Sequence, residues 1–138
     1  HKLAKDICDA LIVHSEIEEE LLYPLIHDFL GRKERIMIDE ARVEHGVVRS
    51  LISKIENGLS DELFEAQIRV LGKLVRTHIK EEEEEIFPKL NKIDVDLMAL
   101  GQKLAQRKCE LEKSFLEQAG DWIKSTISSF TTRESYDQ

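Results

Sequence analysis

The sequence predicts an all-α protein, and three observations carry that prediction. The 138 residues include only two prolines and six glycines, so long stretches run without the residues that punctuate strands and turns. No run alternates β-branched and polar residues with the period of a half-buried strand. Apolar residues instead recur three and four positions apart through most of the chain, which is the spacing of one helical face. The length is that of one ordinary domain with a core of its own.

The elements follow in order. A first helix is expected over residues 2 to 29, kinked or broken at Pro24. "GRKE" at 31 to 34 reads as a turn, and a second helix follows from 35 to 57. "NGLSDE" is the next stop, where Ser60 or Asp61 must cap alone because Leu63 stands where a capping box needs Glu or Gln. A third helix is expected from 61 to 90, with Pro88 close to its end, and "NKIDVD" leads into a fourth from 94 to 118, which Gly120 ends. Residues 121 to 130 read as a short amphipathic helix with Trp122, Ile123, Ile127 and Phe130 on one side, and the polar "TTRESYDQ" as a frayed end. The organisation expected is a bundle over 1–118 and a short C-terminal helix with a polar tail over 119–138. The chain opens on His1 rather than Met, and an upstream segment is expected.

Composition excludes several classes of function. A net charge of −8 opposes binding to phosphate backbones, which depends on Lys and Arg releasing counterions, so no nucleic-acid partner is expected. No apolar run approaches the ~18 residues of a membrane span, and no signal-peptide pattern opens the chain. Cys8 and Cys109 lack CxxC spacing and read as buried free thiols of a reducing cytoplasm. A soluble, cytoplasmic protein is expected. No GxSxG, P-loop, GxGxxG or Cys/His nucleophile pattern is present, and an enzymatic role is not the leading expectation.

The informative residues are polar ones lying in apolar stripes. Ile7, Leu11, His14, Glu18, Leu21 and Leu25 form one seam; Ile38, Ala41, His45, Val48, Ile52 and Ile55 a second; Ile68, Leu71, Val75, His78, Glu82 and Ile86 a third. A lone histidine on such a face is more often a hydrogen-bonded core residue than a ligand. An unpaired carboxylate there costs several kcal/mol if buried. Three imidazoles and two carboxylates at mid-height in one bundle instead form a donor set for a transition metal, whose charge offsets that of the carboxylates.

Spacing sharpens the point. An i, i+4 pair places His and Glu one turn apart on the same face, so His14/Glu18 and His78/Glu82 with His45 suit two ions bridged by the glutamates. Oxygen and imidazole donors without thiolate favour iron or manganese over copper, with zinc as a structural alternative. His1 and His27 each lie thirteen residues from His14, about 220° around the helix and about 20 Å along it, and are expected at the surface. Glu16, Glu19, Glu20, Glu81, Glu84 and Glu85 read as solvated faces, and Glu44 as exposed or as a partner orienting a ligand.

"HSEIEEELLYP", "VEHGVVRSLI" and "HIKEEEEEIFPKL" together resemble the hemerythrin-like HHE cation-binding family. They supply its first HxxxE element, its Glu-His helix and its second HxxxE element; "IDVDLMALGQKLAQRK" is similar to the leucine-rich helix that follows in bacterial members. The resemblance implies an up-down four-helix bundle around an oxo- or carboxylate-bridged di-iron site with His14, Glu18, His45, His78 and Glu82 as ligands. It also implies a further helix, with a histidine, upstream of His1. Arg49 stands where oxygen carriers have a second histidine, so the resemblance points to binding or sensing of oxygen, nitric oxide or peroxide rather than oxygen carriage. Ferroxidase-type chemistry and a helical interaction module with a structural metal are the alternatives. Without the upstream helix the first seam loses part of its cover, which either the helix of residues 94 to 118 or a second chain must supply, and a homodimer or a poorly soluble chain with a partly empty metal site is expected.

Overall fold

The computed structural model describes residues 2–58 and 62–133, with 119, 120 and 122–133 described as helical backbone. It is a helical bundle without strands among the described residues. Helix α1 spans Lys2–Ile17 and continues through a π-turn, Glu18–Leu22, into α2, Tyr23–Phe29. Helix α3 covers Arg32–Asn57. Helix α4, Phe64–Glu81, passes through a second π-turn, Glu82–Ile86, into α5, Phe87–Leu90, and α6 runs from Leu97 to Arg133. Four rods result: α1–α2, α3, α4–α5 and α6. No helix among the described residues is long and apolar enough to cross a membrane.

Both π-turns have the same cause in the sequence. Pro24 and Pro88 lack an N–H, and in an unbroken α-helix their rings would press on the carbonyls four residues back. The chain widens just ahead of each: the N–H of Tyr23 reaches Glu18 O, five residues back, and that of Phe87 reaches Glu82 O. Each proline then falls in the first turn of the next helix, where its missing donor is harmless. Pro24 therefore neither ends nor sharply breaks the first rod.

Apolar packing divides into two cores. One joins Leu22, Tyr23, Ile26, Ile38, Ala41, Ile86 and Ile93; the other joins Cys8, Val48, Ile52, Ile55 and Leu71. The early part of α1 thus meets the late part of α3, and the early part of α3 meets α2 and Ile86, as an up-down order requires. The α3 stripe is buried as its spacing predicts, at Ile38, Ala41, His45, Val48, Ile52 and Ile55. The first stripe is not. Ile7 is 47% exposed, Leu11, Leu21 and Leu25 are half-buried, and Cys8, Ser15, Leu22, Tyr23 and Ile26 are buried instead. The π-turn advances the register by one residue, about 100° of helix rotation, which moves the inward face past Leu21 and Leu25. Ahead of it, Leu3, Ile7 and Leu11 line an open groove of about 490 Å³ between α1 and α4.

Helix α6 departs from expectation at both ends. Asp96 caps its start, its Oδ1 accepting from the N–H groups of Met98 and Ala99 at 3.0 Å each, so the helix begins at 97 rather than 94. Gly120 does not end it. A glycine inside a helix costs only about 1 kcal/mol, and no proline follows to stop the chain, so helix continues to Arg133. The expectation of buried thiols is met at Cys8 but not at Cys109 of α6, which is exposed. Arg107 fastens α6 to the first π-turn, with Nε and Nη2 donating to Glu20 at 2.7 and 3.0 Å. The expected caps Ser60 and Asp61, the side chains of Trp122, Ile123, Ile127 and Phe130, and residues His1 and 134–138 lie outside the described residues.

Ile52, 1% exposed at the centre of the second core, should be the costly truncation. Ile52→Ala is expected to lower stability by about 2–5 kcal/mol and Leu116→Ala, 73% exposed, by less than about 0.5 kcal/mol. Urea unfolding of the two variants checks both.

Candidate metal centre

Between the two cores lies a polar layer. On α3 it is His45, between Ala41 and Val48; on the α4–α5 rod it is His78 and Glu82; on the α1–α2 rod it is His14 and Glu18. Glu18, His45, His78 and Glu82 are all buried. The π-turns matter here, because Glu18 and Glu82 are the first residues of each. The histidine one turn earlier stays on regular helix, and the glutamate leads into the widened turn.

One atom from each of His14, Glu18, His78 and Glu82 can be chosen so that all four lie within 4.8 Å of one another. His45 joins them, its Nε2 3.3 Å from Glu18 Oε2 and 3.0 Å from His78 Nε2. The carboxylates are splayed in a consistent way. Glu18 Oε1 and Glu82 Oε2 face His14 Nε2 at 3.1 and 3.9 Å. Glu18 Oε2 faces His45 and His78 at 3.3 and 3.9 Å, and Glu82 Oε1 faces His78 at 3.2 Å. All five residues singled out in the sequence therefore meet. His27, 38% exposed beside Asp28, is not among them.

Two features of this layer are unsatisfied by protein alone. His14 Nε2 is buried and has no hydrogen-bond partner; the Glu18 oxygen 3.1 Å away is misaligned for one. The ring is otherwise 42% exposed, so only its inward nitrogen is starved. The second feature is the approach of His45 to His78. His45 Nδ1 lies 3.0 Å from Glu19 Oε1, and His78 Nδ1 2.7 Å from Glu44 Oε2. A carboxylate only accepts, so each Nδ1 carries a proton and each neutral ring turns its Nε2 lone pair inward. Two such lone pairs at 3.0 Å repel unless a proton or a metal ion lies between them. The donor set, the orphaned nitrogen and the opposed lone pairs all fit a bound metal cation.

In the metal-free arrangement protons take that role. Burial works against the His78 cation, but hydrogen bonds to Glu18, Glu82 and Glu44 outweigh it and raise its pKa to about 11. Burial likewise pushes the Glu18 carboxyl up, but hydrogen bonds from His45 and His78 prevail and bring its pKa down to about 2. Tyr23, fully buried, donates to Glu82 Oε1 at 2.8 Å and lies 3.3 Å from both Glu18 Oε2 and His45 Nε2. Burial and the two carboxylate charges hold its hydroxyl protonated.

Sequence reasoning missed Tyr23 and Glu19. Glu19, expected on a solvated face, instead accepts from His45 and from Arg49 Nη1 at 2.8 Å. Glu44 orients His78 on the facing helix rather than its neighbour His45. One signal for Tyr23 was available: it stands nine residues after His14, as Phe87 stands nine after His78, and only Tyr23 of the two carries a hydroxyl.

A helical bundle with a buried His/Glu layer between two apolar cores defines a metal-binding bundle protein. The chain belongs to the hemerythrin family: the model of the Hemerythrin HHE cation binding domain matches residues 1–90. No curated protein and no solved structure matches the chain.

The pKa directions predict a pH profile for the chelated protein. Glu18 is depressed from 4.5 to about 2, so its contribution is present above 4.5 and is lost as pH falls through 2. His78 is raised from 6.5 to about 11, so its contribution is present below 6.5 and is lost as pH rises through 11. Thermal unfolding across pH should show both limbs, and the metal-bound protein should lose the alkaline one, because a ligated imidazole is already neutral. An alkaline limb of equal size with and without metal would contradict the assignment of His78.

Proposed function

We propose that this chain is a non-heme di-iron protein that binds or senses oxygen, nitric oxide or peroxide. The observation that carries the reading is the splay of the two carboxylates. Glu18 and Glu82 each turn one oxygen toward His14 and the other toward the His45/His78 pair, so both carboxylates could serve an ion held on either side. His14 would hold one ion, and His45 with His78 the other. Oxygen and imidazole donors without a thiolate favour iron, with manganese next. Bound iron would supply redox chemistry and a place for a small ligand.

The chain's own residues prepare the surroundings. All three histidines line a cavity of about 180 Å³ whose remaining walls are Leu11, Ser15, Val48, Val75 and Ile79. A space of that size with aliphatic walls beside the imidazoles has room for a diatomic molecule. Tyr23 holds a proton on Oη within reach of the Glu82 and Glu18 oxygens that face His78 and His45. Arg49, which cannot ligate a metal, leaves the His45 side one imidazole short of an oxygen carrier's set.

Metal analysis and absorbance of the purified protein, before and after exposure to oxygen, nitric oxide and peroxide, test the reading. Two irons per chain and a ligand-dependent near-ultraviolet band are expected. His78→Ala and Glu82→Ala should each weaken iron binding by more than about tenfold, whereas His27→Ala should not. Equal iron in all three variants, or a spectrum indifferent to oxygen, nitric oxide and peroxide alike, would remove the proposal.

A further inference from the structure

We infer that Glu19 and Arg49 form a positioning chain that fixes His45 for metal binding: Arg49 pins Glu19, and Glu19 holds the His45 ring with Nε2 turned into the layer. The inference rests on the metal-binding reading of that layer, and goes beyond it in giving a role to two residues that do not touch the metal.

The geometry supports each link. Arg49 stands one turn after His45 on α3, so its side chain leaves the same face. Its Nη1 donates to Glu19 Oε1 at 2.8 Å and to Ser15 Oγ at 3.2 Å. Ser15 is oriented for this, because its own proton goes to Ile12 O at 2.9 Å and leaves the oxygen free to accept. The same Glu19 oxygen takes the His45 Nδ1 proton at 3.0 Å. Glu19 keeps 29% of its side chain exposed, and an unanchored glutamate there would spread over solvent-directed rotamers. Arg49 and Ser15 remove that freedom from the α3 and α1 sides.

His78 has a different arrangement. Its Nδ1 partner Glu44 is 38% exposed, and no arginine or lysine is described beside that carboxylate. The two rings are therefore held by separate carboxylates on different helices, one anchored by a cation. That separation gives a test in which each ring serves as the control for the other.

Zinc alone is the probe, because it is diamagnetic and has no ligand-field preference of its own. In the zinc-bound protein, ring ¹H–¹⁵N correlations should show slowly exchanging Nδ1 protons on both His45 and His78. Glu19→Ala should abolish the His45 signal, leave that of His78, and weaken zinc binding by about 10–100-fold. Arg49→Ala should do the same to a lesser degree. Glu44→Ala should reverse the pattern. Because Arg49 acts through Glu19, the double variant should bind zinc no more weakly than Glu19→Ala alone. Glu19→Gln, which preserves shape, should lie between parent and Glu19→Ala, and serves if the alanine variant loses its fold. Additive losses, or simultaneous loss of both ring signals in Glu19→Ala, would overturn the positioning role. A parent that binds no zinc would overturn the metal-binding reading itself, whereas a parent that binds zinc as tightly as all variants would overturn only this inference.

Discussion

The structure depends on the burial of two carboxylates, Glu18 and Glu82, at 4% and 2% exposure in the middle of the bundle. Ionised carboxylates away from water cost several kcal/mol each unless compensated. Much of the surrounding layer can be understood as compensation: three imidazoles within 4 Å, the Tyr23 hydroxyl, and the outer residues Glu19, Glu44 and Arg49, which bear on how His45 and His78 point. Protons can satisfy part of this arrangement, as the raised His78 and lowered Glu18 pKa values show. They do not satisfy His14 Nε2, which is why a metal ion accounts for more of the geometry than protons alone.

The helices deliver these groups through a device used twice. In each HxxxE element the glutamate opens a π-turn, an aromatic residue follows five positions later, and a proline comes next. Three consecutive glutamates at the first π-turn serve different neighbours: Glu18 enters the layer, Glu19 turns to His45 and Arg49, and Glu20 ties to Arg107 of α6. The proline matters to the chemistry only indirectly. It forbids an unbroken α-helix through the turn that follows the ligand; past the first widened turn Tyr23 is buried, whereas past the second Phe87 stays 36% exposed.

This indirect coupling explains what the sequence revealed and what it concealed. The α3 stripe, free of proline, kept strict helical period and could be read residue by residue. The meeting of His14, Glu18, His45, His78 and Glu82 was legible because polar residues interrupted apolar seams on three helices. Leu21 and Leu25 were placed on the buried face because uninterrupted period was assumed across a π-turn, and a one-residue register change is invisible to periodicity. Glu19 and Arg49 were hidden for another reason. Their role comes from contact between helices 30 residues apart in sequence, and an isolated glutamate in a charged run carries no mark of its partner. Gly120 misled because a glycine inside a helix costs only about 1 kcal/mol and does not by itself mark an end.

Stability alone does not call for a layer of this kind. Replacing a buried ionic cluster with apolar residues of similar volume is often neutral or stabilising, and here it would join the Tyr23–Ile38–Ile86 core to the Ile52–Leu71 core without interruption. The bundle instead keeps its two cores apart and spends a cross-section of the interior on groups that need one another's charges. Placing those groups on helices rather than loops fixes their spacing, and tying His45 and His78 to separate outer carboxylates fixes their tautomers. The polar layer is thus held by its surroundings before any ligand arrives, which is the condition under which a bound cation adds to stability instead of having to organise its own site.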